Sequence, residues 1–414
     1  MKRLFLSAGV FLLQAVAYAQ APVSTQPMTM QQAVEYARLH SPAILGARAH
    51  ASAVQAGEIT AGLRLNPNIV GETTQTSLSN TDPNGPPFYG IGLQRTFEVG
   101  GKRSLRLAAA RATTGVATAQ VEDQRRLLDF NVRLAFTRML QAKLALAIAN
   151  DNLRDYRRTV ELMQVRLDAG DVDRTDFERV ELQLAGFEND GTTAQLNLTQ
   201  ASEQLQVLLG EPAVIASFDI AGAFALPKLA TPLTDLENAA LAARPDLIAA
   251  TRQVSANEAT IRLADANGKT DPQFGVEYEH SGTGSTVGGN LQIPLRMFDR
   301  NQGERERARR EAESSRLLLQ QQRNQVVSDV DQAYAAYLAA FDQNARYANK
   351  YLAEAAHVRD NLQFAYRNGN ATLLDYLSAL QDYRQTNLAA LNAQANAQLA
   401  LHQLSYATAT EVTP

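Results

Sequence analysis

The stretch "LQIPLRMFDRNQGERERARREAE", Leu291 to Glu313, opens with one periodicity and closes with another. Leu291 and Ile293 alternate with polar Gln292, and then Pro294 and a Phe-Asp-Arg-Asn-Gln-Gly turn interrupt the pattern. After Gly303 comes a run of Glu, Arg and Ala suited to a solvated helix. A strand apolar on one face that feeds straight into a charged helix asks for two different surroundings. The rest of the chain has to supply both.

Composition sets the bounds. Charged residues make up 20% of the 414-residue chain and aromatics 7%, with no Trp and no Cys. Disulfides, thiolate metal sites, cysteine nucleophiles and lipidation at a cysteine are therefore excluded. The formal net charge of −4 does not suit a nucleic-acid-binding surface. At the N-terminus Lys2 and Arg3 precede an apolar run from Leu4 to Val16, followed by Ala17-Tyr18-Ala19, a small-x-small cleavage pattern. The expectation is an export leader over 1–19, cut between Ala19 and Gln20. Taking Lys2 and Arg3 from 39 basic residues, against 43 acidic ones, leaves the mature chain at −6. No later segment offers the ~20 apolar residues of a membrane-spanning helix.

The chain also echoes itself. Tyr36-Ala37-Arg38-Leu39-His40-Ser41-Pro42 returns as Ala239-Ala240-Leu241-Ala242-Ala243-Arg244-Pro245, and Asn66-Pro67-Asn68 as Asp271-Pro272-Gln273. Arg95-Thr96-Phe97-Glu98 returns as Arg296-Met297-Phe298-Asp299, and the Gly170 to Phe177 segment as Gly369 to Tyr376. All four fall in one order at an offset of roughly 200 residues, the mark of a tandem duplication. Each half reads as a helix, two short strands around a Gly/Pro/Asn-rich loop, a very long helix, a tight turn and a second long helix. From Glu304 to Asn368 there is neither Gly nor Pro, and from Lys102 to Ala169 only Gly115. Helices of that length reach on the order of 100 Å, which belongs to a tubular object rather than a compact domain. On the last helix Leu377, Leu388 and Leu399 recur every eleven residues, a period that favours nearly straight packing. Gly186 and Gly191 predict a weak or bent spot in the helix after the first turn.

The reading divides the chain into a leader (1–19), a first repeat (20–211), an inter-repeat equatorial segment (212–232) and a second repeat (233–414). The first repeat carries strands at about 67–78 and 88–97 and long helices at about 102–168 and 174–209. The second carries strands at about 272–281 and 286–295 and helices at about 303–367 and 372–408. Phe274, Val276, Tyr278 and His280 alternate with Gln273, Gly275, Glu277 and Glu279; Tyr89, Ile91 and Leu93 alternate with Gly90, Gly92 and Gln94. One apolar and one polar or Gly face over about ten residues fits a transmembrane β-strand, and equally an amphipathic hairpin on a soluble core. Two hairpins cannot close a barrel, and open edges are not tolerated in lipid, so the membrane reading requires further copies of the chain. The expectation is a mainly α fold of long-helix hairpins forming a trimeric periplasmic α-barrel. With it go four strands per chain toward a 12-stranded outer-membrane β-barrel. The loops Asn80 to Pro87 and Ser281 to Ser285 would then lie at the cell surface. On this reading Pro294 to Gly303 is where the chain passes from lipid into water.

With these features the chain resembles the TolC family of outer membrane factors, over essentially all of Thr29 to Ala409. The duplication, Glu98-Val99-Gly100-Gly101-Lys102-Arg103 and the Gly369 to Asp375 turn carry the resemblance. "EVGGKR" and "IPLRMFDRNQG" (Ile293 to Gly303) are similar to the cobalt-zinc-cadmium, CzcC-like branch. The resemblance implies a homotrimer in outer-membrane lipid, forming the exit duct of a tripartite efflux system for heavy-metal cations. Its turns at Gly170, Gly369 and Asn370 would dock a periplasmic membrane-fusion adaptor serving an inner-membrane RND pump. It further implies a periplasmic gate at Asp375 and its counterpart Asp176; a second acidic position found in some members is Ser378 here. No enzymatic activity, no cofactor and no nucleic-acid partner follow from it. Asp171 and Asp173 are candidates for a dispersed cation vestibule, or equally for capping of the following helix. The five histidines are scattered, with no metal-ligand spacing, and no nucleophile elbow, P-loop or dinucleotide fingerprint occurs. Two other readings stay open: the same duct serving drugs, organic solutes or type I secretion, and an exported helical scaffold without a pore.

Overall fold

The computed structural model describes residues 27–73 and 88–411. The leader, its Ala19–Gln20 junction, the far end of the first strand and the loop Asn80 to Pro87 lie outside the described residues.

Each repeat opens with two helices: α1 (Met30–His40) and α2 (Pro42–Gly62) in the first, α5 (Leu233–Ala243) and α6 (Pro245–Asn267) in the second. The sequence predicts one helix at each place. Pro42 and Pro245 sit at the first helical position of α2 and α6, where proline starts a helix but cannot continue the one before it. Thr29 and Gln32 close a capping box that starts α1.

Between these helices and the long ones lie β1 (Asn68–Thr73), β2 (Phe88–Thr96), β3 (Gln273–Ser281) and β4 (Gly284–Gln292), one antiparallel sheet in that order. The hairpins of the two repeats join through β2 and β3, with Ile91 opposite Tyr278 and Leu93 opposite Val276. β4 ends before Pro294, which cannot donate to the ladder, and begins at Gly284, after a two-residue turn in which Gly282 is left-handed (φ 61°). Ile69, Ile91, Leu93, Val276, Tyr278 and Val287 share one face and are exposed. The other face carries Glu72, Gln94, Glu277 and Asn290 over a glycine stripe.

The long helices follow. α3 (Lys102–Asp168) has 67 residues, on the order of 100 Å, and α4 (Arg174–Leu209) returns beside it through Gly186 and Gly191 without a break in helix. In the second repeat the expected single helix is divided: α7 (Gln302–Arg346), a π-helical turn (Tyr347–Tyr351) and α8 (Leu352–Arg367). A π turn inserts a wider ring of backbone bonds and needs no Gly or Pro to do so. Leu352 N–H reaches back to the Tyr347 carbonyl, and the buried Asn344 Oδ1, one turn earlier, has no partner among the described residues. α9 (Leu373–Thr408) completes the repeat.

The "EVGGKR" segment is the joint between sheet and helix. Gly100 and Gly101 take φ of 78° and 71°, which a side chain rarely adopts. Lys102, nearly fully buried, donates to the Lys269 carbonyl (2.7 Å) and to Asp271 (2.6 Å), whose other oxygen accepts Val99 N–H (2.8 Å). Arg103 and Arg106 donate to the Gly62, Ala61 and Leu63 carbonyls, satisfying the end of α2. The motif thus ties three elements of both repeats together at the base of the sheet.

Three cores hold the helices. One packs α1, α3 and α4 around Phe136, Met139 and Leu205. A second packs α5, α7 and α9 around Tyr337, Val330 and Leu404. The third, around Tyr156, Met163 and Phe187, lies near the hairpin turns and joins the repeats.

Candidate functional site

The site is the end of the molecule where α3 turns into α4 and α8 into α9. Both turns have one geometry. Gly170 (φ 80°) and Gly369 (φ 75°) are left-handed, and a Cβ at either would meet nothing within 4 Å, so backbone conformation alone calls for glycine. Asp171 N–H donates to the Arg166 carbonyl (2.8 Å) and Asn370 N–H to the Ala365 carbonyl (2.8 Å), the long-range bond of a Schellman motif.

The helices that leave the turns are capped differently. Asp173 is the N-cap of α4, its carboxylate accepting Asp176 N–H at 2.8 Å. Thr372 is the N-cap of α9; its hydroxyl accepts Asp375 N–H (3.2 Å) and donates to Asp375 Oδ2 (2.6 Å), which also accepts Thr372 N–H (3.1 Å). Those bonds from Thr372 hold the Asp375 carboxyl below the usual carboxylate range. Asp176 is freer, with Arg179 at 3.9 Å as its ion partner. Asp173, Asp176 and Asp375 therefore all serve helix starts, and Asp171 lies exposed in the turn itself. Among the described residues no group of three or more acidic, His or Cys side chains could hold a metal ion. His402, far from the turns, is buried against Thr137 and Gln398, and burial, then Arg133, pushes it down to about 4.

Behind the turns an aromatic stack closes each hairpin, and contacts from α8 and α9 to α3 and α4 bind one hairpin to the other. Tyr156 stacks on Phe187 (4.3 Å between centroids) and donates to the Val180 carbonyl (2.9 Å). Tyr366 stacks on Tyr376 (5.6 Å) and its hydroxyl meets the Met163 sulfur at 3.1 Å. Arg384 of α9 pairs with Asp190 of α4 (2.9 Å) and lies over Phe187. A groove of about 320 Å³ between α3 and α8 is lined by Asp155, Arg158, Arg359, Asp360, Arg367 and the tyrosines. Sequence reasoning singled out the glycines and aspartates and missed this lock. Its signal was the placing of Tyr366 and Tyr376 on either side of the Gly369 turn.

No described helix is long and apolar enough to cross a membrane. Comparison with known proteins then bears on the whole chain. The outer membrane efflux protein family matches residues 33–211 and 236–410, one block for each repeat. The cobalt-zinc-cadmium resistance protein CzcC of Cupriavidus metallidurans is 24% identical over 338 residues, 76% of this chain and 77% of that one. Among solved structures, CusC superposes with a TM-score of 0.78 at 19% identity, covering 92% of this chain and 91% of its own. VceC of Vibrio cholerae superposes with a TM-score of 0.75 at 19% identity, over 93% of this chain and 97% of its own.

Proposed function

The chain belongs to the outer membrane efflux protein family, and from that premise we propose that it is the exit duct of a tripartite, RND-type system exporting heavy-metal cations. Family membership makes it an efflux channel of the outer membrane, without catalysis, and removes the non-pore scaffold. The observation that carries the cargo is the likeness to a cobalt-zinc-cadmium resistance protein over three quarters of both chains.

The chain's own chemistry is compatible with that cargo. In a homotrimer the Gly369 turns of three copies come round one axis, and Asp375 stands at the start of α9 in each. Thr372 holds that carboxyl below the usual carboxylate range, and like charges across a water-filled opening repel only weakly, so a ring of ionised carboxylates survives. Dispersed carboxylates of this kind attract a cation without trapping it. The exposed turns at Gly170, Gly369 and Asn370 are the surface for a periplasmic membrane-fusion adaptor, and Asp176 is the first-repeat partner of the gate.

The deciding experiment is a deletion strain challenged with cobalt, zinc and cadmium salts beside a panel of drugs and organic solutes. Lower tolerance to one or more metals, restored by the wild-type gene, is expected. Unchanged metal tolerance with lost drug tolerance would replace the cargo by organic solutes.

A further inference from the structure

The helix-side rim of the sheet carries a feature that efflux does not use. On the apolar face, Arg95 stands opposite Phe274, and its guanidinium lies 5.2 Å from the Phe97 ring centroid. Past the end of β4 the apolar character continues where a soluble turn would be polar: Leu295 is 80% and Phe298 89% exposed, with Met297 between them. The turn that presents them is fixed. Asp299 accepts Asn301 N–H (2.8 Å), and the Gln302 side chain bridges the Phe298 carbonyl and Arg300 N–H. Asn301, left-handed at φ 61°, donates to the Ala264 carbonyl (2.8 Å). Little order is left to be gained when Phe298 meets a partner.

Charge is distributed just as unevenly. On the neighbouring helix Arg305, Arg307, Arg309 and Arg310 all have carboxylate partners. Among the described residues, Arg95, Arg296 and Arg300 have none, although they flank the exposed apolar side chains. Unpaired guanidinium groups beside exposed aromatic and aliphatic side chains, continuous with a lipid-facing band, match a bilayer interface: acyl chains on one side, phosphates on the other.

We propose that this rim is an interfacial anchor: Phe97, Leu295, Met297 and Phe298 bed into the periplasmic leaflet of the outer membrane, and Arg95, Arg296 and Arg300 bind phosphates of anionic glycerophospholipids. The anchor fixes how deep the sheet sits, in a chain with no cysteine to carry a lipid. It is independent of the cargo.

The chain has no Trp, so a single introduced indole reports alone. The full-length mature protein is reconstituted in vesicles of three parts phosphatidylethanolamine to one part phosphatidylglycerol, with acyl chains brominated near the headgroup end. Three variants are compared: Phe298→Trp at the rim, Ile91→Trp in the apolar band and Phe364→Trp on α8. The expected result is bromine quenching of the Phe298→Trp indole at about half the Ile91→Trp level or more, with Phe364→Trp unquenched. Brominated phosphatidylglycerol should quench more than brominated phosphatidylethanolamine at equal fraction, and Arg296→Gln with Arg300→Gln should abolish that excess. Blue-shifted but unquenched emission means a neighbouring copy covers the rim, and red-shifted, unquenched emission means water does; either overturns the anchor. Equal quenching by both headgroups overturns the preference for anionic glycerophospholipids, since phosphatidylethanolamine carries a phosphate too. Leu295→Trp repeats the reading should Phe298→Trp fail to assemble, and a silent Ile91→Trp would instead refute insertion of the sheet.

Discussion

In the first repeat Lys102 to Asp168 is one α-helix, and near its end Tyr156 and Met163 are buried in the core behind the turns. The corresponding span of the second repeat is α7, a π-helical turn and α8, and α8 buries no residue at all. α8 lies along α9 and reaches α3 through contacts such as Tyr366 with Met163. Duplication has therefore produced one hairpin whose outgoing helix buries side chains almost to its tip, and one whose outgoing helix buries none past Tyr337, its tip held instead by Leu373, Tyr376 and Leu377 of α9. Motions at low free-energy cost are drawn from segments with few buried apolar contacts, and the second repeat holds such a segment next to its helical turn.

The most severe way to break this contrast is Tyr156→Ala. It removes the stack on Phe187 and the bond to the Val180 carbonyl, and buried aromatic truncations cost about 3–5 kcal/mol. The first hairpin should then become as protease-sensitive as the second near its turn; unchanged digestion at Gly170 would show that the anchor lies elsewhere. Hydrogen exchange sharpens the contrast without a mutation. Amides of α8 should exchange at least about tenfold faster than those of α3 beyond Asn150, a margin that follows from local opening below the global stability. Equal protection would dissolve the asymmetry.

Arg384→Ala is expected to act more gently. The Arg384–Asp190 pair is partly exposed, so its loss, with the contact over Phe187, amounts to about 1 kcal/mol. Single-channel recordings should show more frequent opening with the assembly intact, and Asp190→Asn should reproduce it. Asp375→Asn should keep the fold and the cap, because an amide oxygen can accept the same Thr372 bonds, with a small drop in melting temperature from the deleted charge, yet lower cation preference and block by trivalent cations. Thr372 depresses the Asp375 pKa, so the wild-type charge contributes above the ordinary carboxylate range and is lost as pH falls through the lower folded value. The wild-type preference should accordingly persist into mild acid. Selectivity equal to wild type in Asp375→Asn would leave Asp375 a helix cap.

Much of this architecture is legible in the amino-acid order. A long span such as Glu304 to Asn368, rich in Ala, Glu, Gln, Arg and Leu and without Gly or Pro, reads as helix, and alternation in Gln273 to His280 reads as strand. Gly170 and Gly369 announce their turns because only glycine accepts that backbone easily. The π turn is another matter: Tyr347-Ala-Asn-Lys-Tyr351 contains no breaker, and its cause lies in packing. At the site, the aspartates stand out by charge, whereas the Tyr156–Phe187 and Tyr366–Tyr376 stacks depend on which helices become neighbours. Pattern within one helix carries no information on that.

The two outer strands of the sheet, β1 and β4, each keep an unpaired edge within the chain. An edge in lipid is completed by another copy, so every finished wall is shared property. Heredity inherits the consequence. A chain whose β4 edge cannot pair, but whose β1 edge can, would enter assemblies built from normal copies and spoil them. Alleles of that kind would be dominant when made in amounts near the normal chain's, while alleles that prevent folding outright would be recessive and silent beside a good gene.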